Sequence, residues 1–241
     1  MAYLSKSKIG SLSRSTLFLS LLVRGLGLGL GFGLTLFLVR MLTAEQLGRY
    51  YLLIMLVALV SSPVAAGWSQ LILRTVAGNG DASLPREIPL IVGSARCLSL
   101  LFGIILLALA AAFYGIDLSN SGFVISILFC AIVVISQNNA FRMAIIRGSG
   151  HPVAAQTPEL IVLPLSTGCL ILIYTIVTGD KASAVEGFAI YLAGTFICLL
   201  LGAYMLRRLV PRQLDRITLR DLDWSLVKVW GMATLTIGST T

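Results

Sequence analysis

The chain has 241 residues, of which 57% are hydrophobic and only 12% charged, and its formal net charge is +8 at pH 7. In soluble domains about a quarter of all residues are charged, so this composition excludes a water-soluble globular protein. Backbone amides need internal partners in lipid, so spanning segments are helices or closed barrels. Here the apolar runs are continuous and lack the alternation of barrel strands, which predicts an all-α, polytopic membrane helix bundle.

Six apolar runs reach the length of about 20 residues that a spanning helix needs. In chain order, the predicted spans are 17–39, 50–73, 88–114, 122–146, 153–177 and 185–206. Their short connections predict that consecutive helices pack as antiparallel neighbours. We expect residues 1–206 to form a six-helix transmembrane lobe. The charged stretch 207–223 is predicted as a cytoplasmic linker, either a helix at the membrane surface or a plain solvated connector, and 224–241 as the truncated start of a second lobe.

The basic residues predict the orientation of the bundle, because cytoplasmic loops are enriched in Lys and Arg. With the N-terminus in the cytoplasm, only Arg40, Arg49 and Lys181 among the 18 basic residues fall on the outer side. The same bias accounts for the positive net charge, so the charge does not indicate nucleic-acid binding. We do not expect nucleic acid as a partner.

Small residues and prolines mark places where helices pack closely or bend. The first span alternates Gly with Leu or Phe, so that Gly25, Gly29 and Gly33 form overlapping GxxxG pairs. Such a face favours close helix packing, and a hinge is the alternative function. Further candidates for kinks are Pro63, Gly67 and Pro158, and kinked helices often line transporter cavities.

Charged side chains inside the predicted spans are the main candidates for function, because they are costly in lipid. Arg24, Arg96, Arg142 and Glu159 all fall in the cytoplasmic half of their spans. Asn138 lies four residues before Arg142, on the same helix face. Together they indicate a polar, net-positive recess open to the cytoplasm, and the guanidinium fork suits a phosphate or pyrophosphate.

Each of these groups also has a plainer interpretation. An arginine can extend its head group to the membrane surface, which is favoured for Arg142 and balanced against the recess for Arg24 and Arg96. Glu159 is either an ion-coupling site or the partner of an arginine. Pairing is slightly favoured, because an unpaired carboxylate would be costly or protonated.

No pattern in the sequence predicts an enzyme, a metal site or a cofactor. The four cysteines fall in different apolar runs and form no CxxC pair, and no HExxH, phosphate-binding loop or Ser/His/Asp set is present. Buried packing residues are the expected role of the cysteines.

Two segments carry a resemblance to a known family. Residues 24–77 combine a glycine-bearing first helix ending in RML, a loop with LGxY, and a second helix with Gly67 and Arg74. Residues 140–150 (AFRMAIIRGSG) end the fourth helix in a short basic turn. This pattern resembles the N-terminal half of the polysaccharide transporter, or O-antigen flippase, family, in the superfamily of multidrug and toxin extruders and the lipid II flippase.

The resemblance implies a transporter with two pseudo-symmetric lobes that works by alternating access, driven by an ion gradient or the membrane potential. It would move undecaprenyl-pyrophosphate-linked oligosaccharide across the bacterial cytoplasmic (inner) membrane, for O-antigen of lipopolysaccharide, capsule or exopolysaccharide. Arg24, Arg96, Arg142 and Asn138 would bind the pyrophosphate. The implied partners are the lipid-linked oligosaccharide, membrane lipid, a polysaccharide polymerase and a chain-length regulator.

Two alternatives stay open. A multidrug or toxin exporter of the same superfamily would have a cavity rich in acidic and aromatic groups. A non-transporting membrane scaffold, or an inactive fragment, would need only the helix-packing faces.

Overall fold

The computed structural model describes residues 12–78, 87–114, 121–179 and 181–210. These residues form six helices and no strand. The helices are α1 (Leu12–Met41), α2 (Ala44–Gly78), α3 (Glu87–Tyr114), α4 (Ser121–Gly148), α5 (Pro152–Thr178) and α6 (Ala184–Leu209). The predicted all-α bundle is confirmed. The first residues of the predicted linker, 207–209, belong to α6 and Val210 follows it, while residues 211–223 of the linker and the start of the second lobe lie outside the described residues.

The lengths and surfaces of the helices identify a multi-pass membrane protein. Five of the six, all except α3, contain an apolar segment long enough to cross a bilayer, and α3 contains a shorter one, Ala95–Leu109. Large apolar side chains on the outside of the bundle are widely exposed, among them Leu28, Met55, Ile104 and Val177. In water such a surface would be strongly unfavourable, whereas lipid solvates it.

Helix α4 is the centre of the bundle, because it packs against α2, α3 and α6. One core cluster surrounds its buried Phe141, with Trp68 and Ile72 from α2 and Val92 from α3. A second cluster joins Ile132 and Val133 of α4 to Val57 of α2 and Phe188 of α6. Since α4 is covered on several sides, its polar side chains are partly enclosed by other helices, and the fully buried Gln137 has no hydrogen-bond partner among the described residues.

The expectation that consecutive helices are packed neighbours fits α1 and α2 poorly, because the two share only a small contact. Helix α1 lies along α5 instead. Its contact with α2 includes the hydrogen bond that the Tyr51 hydroxyl donates to Thr35 Oγ1 at 2.9 Å. Helix α1 approaches α5 closely at Gly27, where a Cβ would lie 2.7 Å from Cβ of Leu160. Helix α2 packs most extensively on α4.

Helix α5 contains a π-helical turn between two α-helical stretches. It is α-helical over Pro152–Thr157, widens to a π-helical turn at Pro158–Val162 and is α-helical again over Leu163–Thr178. Pro164 has no N–H for the carbonyl of Leu160, which favours a wider turn. In that turn the Pro158 carbonyl accepts the N–H of Leu163 and the Cys198 Sγ–H at 3.1 Å. The irregular turn therefore lies at Pro158, one of the residues predicted to bend a helix.

The other candidate packing residues have different surroundings. A Cβ on Gly25, Gly29 or Gly33 would have no described atom within 4 Å, so the GxxxG face is open in this bundle. Pro63 and Gly67 both lie within α2, which is α-helical throughout.

Replacing Gly27 with Ala is expected to destabilise the protein by about 1–3 kcal/mol, the usual range for overpacking. The added methyl would meet Cβ and the backbone carbonyl of Leu160 rather than a flexible side-chain end. Gly29→Ala is the matched control, because that position is open, and it should be neutral or up to about 1 kcal/mol more stable through helix propensity. Thermal unfolding midpoints in detergent compare the two variants. Equal midpoints would contradict a tight α1–α5 contact at Gly27.

Candidate functional site

Arg142 on α4 lies within electrostatic range of one arginine on α3 and one on α6. Arg142 is half-buried on α4, and its Nη1 donates a hydrogen bond to the carbonyl oxygen of Leu199 on α6 at 2.7 Å. Its guanidinium also interacts electrostatically with Arg96 of α3 and Arg207 of α6. We call these three residues the arginine cluster. The structure thus brings together two of the predicted site arginines and adds Arg207, which the sequence assigned to the linker.

The arginine cluster has no acidic partner in the part of the chain that the structure describes, where the one ion pair joins Arg49 to Glu45 at 2.7 Å. Arg96 and Arg142 are partly shielded from water, whereas Arg207 is exposed, and the like charges repel one another. Such a cluster is stabilised by an anion, and the planar guanidinium group can bind a phosphate through two parallel hydrogen bonds.

Arg24 occupies a different place. Its Nε donates to Oε1 of Gln156 on α5 at 3.2 Å, and the Ser20 hydroxyl donates to the same oxygen at 3.4 Å. Gln156 is only 8% exposed, whereas Arg24 is exposed. Arg24 thus belongs to the α1–α5 interface, while the arginine cluster is built from α3, α4 and α6.

Asn138 is held by its own helix, because its Nδ2 donates to the carbonyl oxygen of Val134 at 2.9 Å. Its spacing places it one turn before Arg142 on α4. The structure therefore gives Asn138 a place beside the arginine cluster along α4, with its amide N–H already engaged.

Glu159 lies in the π-helical turn of α5 and forms no ion pair among the described residues. The expected pairing with an arginine is therefore not formed. Glu159 instead lines a cavity of about 80 Å³ between α4, α5 and α6, which we call the polar cavity. Its other polar lining residues are Ser136, Asn139, Tyr191, Thr195 and Cys198.

Most residues of the polar cavity carry little signal in the sequence. Ser136 and Asn139 are three residues apart on α4, and Tyr191 and Thr195 are four apart on α6, so each pair shares a helix face. Single hydroxyl and amide groups are common in membrane helices, where they often bond across to a neighbour. The spacing could have indicated two polar faces, but only the packing of α4 against α6 shows that they meet.

The bundle defines the class of protein as a polytopic α-helical membrane protein, and its fold is similar to that of one half of a MOP superfamily transporter. A MOP superfamily transporter from Pyrococcus furiosus, whose binding pocket is described as having reverse polarity, matches with a TM-score of 0.60. The match is 19% identical and covers 91% of this chain but 51% of that one, so this chain spans about half its length.

The chain belongs to the polysaccharide biosynthesis protein family, whose model matches residues 13–222. The comparison with curated protein sequences gave no significant match. The family resemblance inferred from the two sequence segments is confirmed.

Replacing Gln156 with Leu is expected to cost about 1–3 kcal/mol of stability, because it removes the acceptor of Arg24 and Ser20. Gln156→Glu should keep stability, since a carboxylate accepts the same hydrogen bonds. Gln70→Leu, at an exposed position of α2, is the control and should have little effect. Thermal unfolding in detergent measures all three variants, and equal effects of the two leucine substitutions would contradict a structural role for the α1–α5 hydrogen bonds.

Proposed function

We propose that the protein is a flippase that moves undecaprenyl-pyrophosphate-linked oligosaccharide across the bacterial cytoplasmic membrane for surface polysaccharide synthesis. The observation that carries this proposal is the arginine cluster, a group of three positive charges without a described carboxylate partner inside a polysaccharide biosynthesis family protein. The proposed activity is transport, without a catalytic step, cofactor or metal.

The chemistry of the arginine cluster favours a pyrophosphate over an uncharged sugar. Repulsion within the cluster and loss of hydration both disfavour the empty site, so an anionic group offsets both effects when it binds. We assign Arg96 and Arg142 to the pyrophosphate, with Asn138 beside them on α4. The hydrogen bond from Arg142 to Leu199 fixes the orientation of one guanidinium before the substrate arrives.

Arg24 is assigned to the same substrate at a second position. It is exposed on α1 and anchored through Gln156 on α5, so its guanidinium group is accessible from outside the lobe. We propose that Arg24 and the arginine cluster contact the pyrophosphate at different points of the transport cycle, when the lobe moves against the second half of the transporter.

The proposed orientation places the N-terminus in the cytoplasm. The arginine cluster then lies toward the cytoplasmic side, because α3 begins there and α4 and α6 end there. This is the side on which lipid-linked oligosaccharides are assembled in the proposed pathway. A polymerase and a chain-length regulator would act on the product at the other side and are proposed as further partners.

Export of drugs or toxins is the second candidate function, because Glu159 and Tyr191 give the polar cavity an acidic and aromatic lining. Its volume of about 80 Å³ is well below the roughly 300 Å³ at which small-molecule sites begin. The cavity within this lobe therefore does not accommodate such a substrate, and we favour the flippase.

Arg96→Ala and Arg24→Ala are each expected to abolish surface polysaccharide in the host bacterium, while the amount of protein in the membrane stays the same. The reason is loss of a charge-assisted contact to the pyrophosphate. Arg49→Ala is the matched control, since Arg49 is exposed and pairs with Glu45. Polysaccharide is measured by gel electrophoresis of surface extracts. Normal polysaccharide in both test variants would overturn the assignment of the pyrophosphate site.

The orientation is tested by labelling single cysteines with a reagent that does not cross membranes, after the four natural cysteines are replaced by Ser. A cysteine at Lys181, between α5 and α6, should react in intact cells. A cysteine at Ser149, between α4 and α5, should react only after the cells are opened. The reverse pattern would show that the N-terminus is outside.

A further inference from the structure

An open groove separates α5 and α6 near the end of the lobe at which these two helices are connected. On each helix the lining residues are three or four positions apart, so one face of each helix forms a wall. Helix α5 contributes Ile173, Tyr174 and Val177, and α6 contributes Glu186, Ala189 and Ala193. The groove has a volume of about 460 Å³, within the range of about 300–1,000 Å³ that is usual for ligand sites.

The apolar part of the groove faces lipid. Ile173 is 56% exposed and Val177 78% exposed, and both belong to a segment that is long and apolar enough to cross a bilayer. From Glu186 to Ala193 the groove follows α6 for about 10 Å, at about 1.5 Å per residue. This is about a third of the hydrocarbon core and fits the upper part of a lipid acyl chain. Any lipid offers such a chain, so the polar end of the groove decides which lipid is held.

The polar end of the groove contains a carboxylate that is held in position. Glu186 lies in the first turn of α6, and its Oε2 accepts the backbone N–H of Ser183 at 2.7 Å. The Tyr174 side chain of α5 is also hydrogen-bonded to this carboxylate. Both donors are neutral. Among the described residues no ion pair balances the negative charge of Glu186, so a cationic group at the mouth of the groove is favoured.

A positive charge lies just beyond the same end of the groove. Lys181 is exposed in the connection between α5 and α6, and it forms no ion pair among the described residues. A carboxylate and a lysine side by side complement the ammonium and the phosphate of phosphatidylethanolamine. A primary ammonium donates up to three charge-assisted hydrogen bonds, and lysine is a common ligand of phosphate. Phosphatidylcholine has no N–H group to donate, and phosphatidylglycerol has no cation.

We propose that the groove between α5 and α6 binds phosphatidylethanolamine, with the ammonium at Glu186, the phosphate at Lys181 and one acyl chain along Ala189 and Ala193. The proposed orientation places this end of the lobe outside, so the lipid belongs to the outer leaflet. Binding of the lipid does not depend on the proposed transport activity, because no residue of the arginine cluster takes part in it.

Native mass spectrometry of the purified full-length protein in detergent measures the affinity for phosphatidylethanolamine, phosphatidylcholine and phosphatidylglycerol with the same acyl chains. We expect phosphatidylethanolamine to bind at least about tenfold more tightly than the other two, the effect of one hydrogen bond to a charged group. Glu186→Gln should abolish this preference, because the amide keeps an acceptor for Ser183 but loses the negative charge. Lys181→Gln should weaken the binding of all three lipids, since each of them carries a phosphate.

Two matched controls distinguish the site from general damage. Ala193→Phe fills the groove and should prevent binding, whereas Ala58→Phe adds the same side chain at an exposed position of α2 and should not. Glu45→Gln removes an exposed carboxylate outside the groove and should keep the preference of the natural protein. If Glu186→Gln aggregates on size exclusion, Ala193→Phe and Lys181→Gln carry the test, since both positions are exposed.

Equal affinity of the natural protein for the three lipids would overturn the site, and so would a preference that Glu186→Gln and Ala193→Phe leave unchanged. A dimer in light scattering that Ala193→Phe converts to a monomer would also overturn it and show that a second copy of the chain covers the groove. No lipid binding, together with an unfolding midpoint lowered by Ala193→Phe and not by Ala58→Phe, would overturn it and identify the second half of the transporter as the occupant.

Discussion

A polar or charged group inside a bilayer must find its partner in the protein, because lipid offers none. The arrangement of this bundle follows from that constraint. Arg142 reaches the backbone carbonyl of Leu199 on a neighbouring helix, and Arg24 reaches the side chain of Gln156. Glu159 turns toward a cavity lined with hydroxyl and amide groups. The two arginine contacts each join two helices whose outer faces are apolar, so the contacts that satisfy these guanidinium groups also connect neighbouring helices.

The π-helical turn of α5 links the packing of α1 to the polar cavity. On one side, Leu160 of this turn meets Gly27 so closely that a Cβ could not be added without movement. On another side, Glu159 faces the cavity, and the Pro158 carbonyl receives Cys198 from α6. Three helices therefore depend on one irregular turn. A regular α-helix at this point would rotate these residues relative to one another, so a shift of α1 and a change at Glu159 are mechanically connected.

The sequence predicts the number of helices well, because length and hydropathy decide it, whereas the predicted ends differ from the observed ones by up to six residues, at the start of α2. The predicted span 88–114 and α3 (Glu87–Tyr114) differ by one residue. The sequence does not predict which helices are in contact. Five glycines alternate in α1, and nothing in the sequence distinguishes Gly27, which meets Leu160, from Gly29, which faces open space. Arg207 was assigned to a linker because it follows the apolar run, whereas capping and the last helical turn extend α6 to Leu209. Intramembrane charge identified Arg96, Arg142 and Glu159 as candidates, but their partners depend on tertiary packing.

The arginine cluster and the polar cavity are adjacent rather than independent. Asn139 and Arg142 are three residues apart on α4, and Leu199, which accepts the Arg142 hydrogen bond, directly follows Cys198 of the cavity lining. Both sites therefore lie along the same α4–α6 contact. A movement of α6 relative to α4 would therefore change both sites at once.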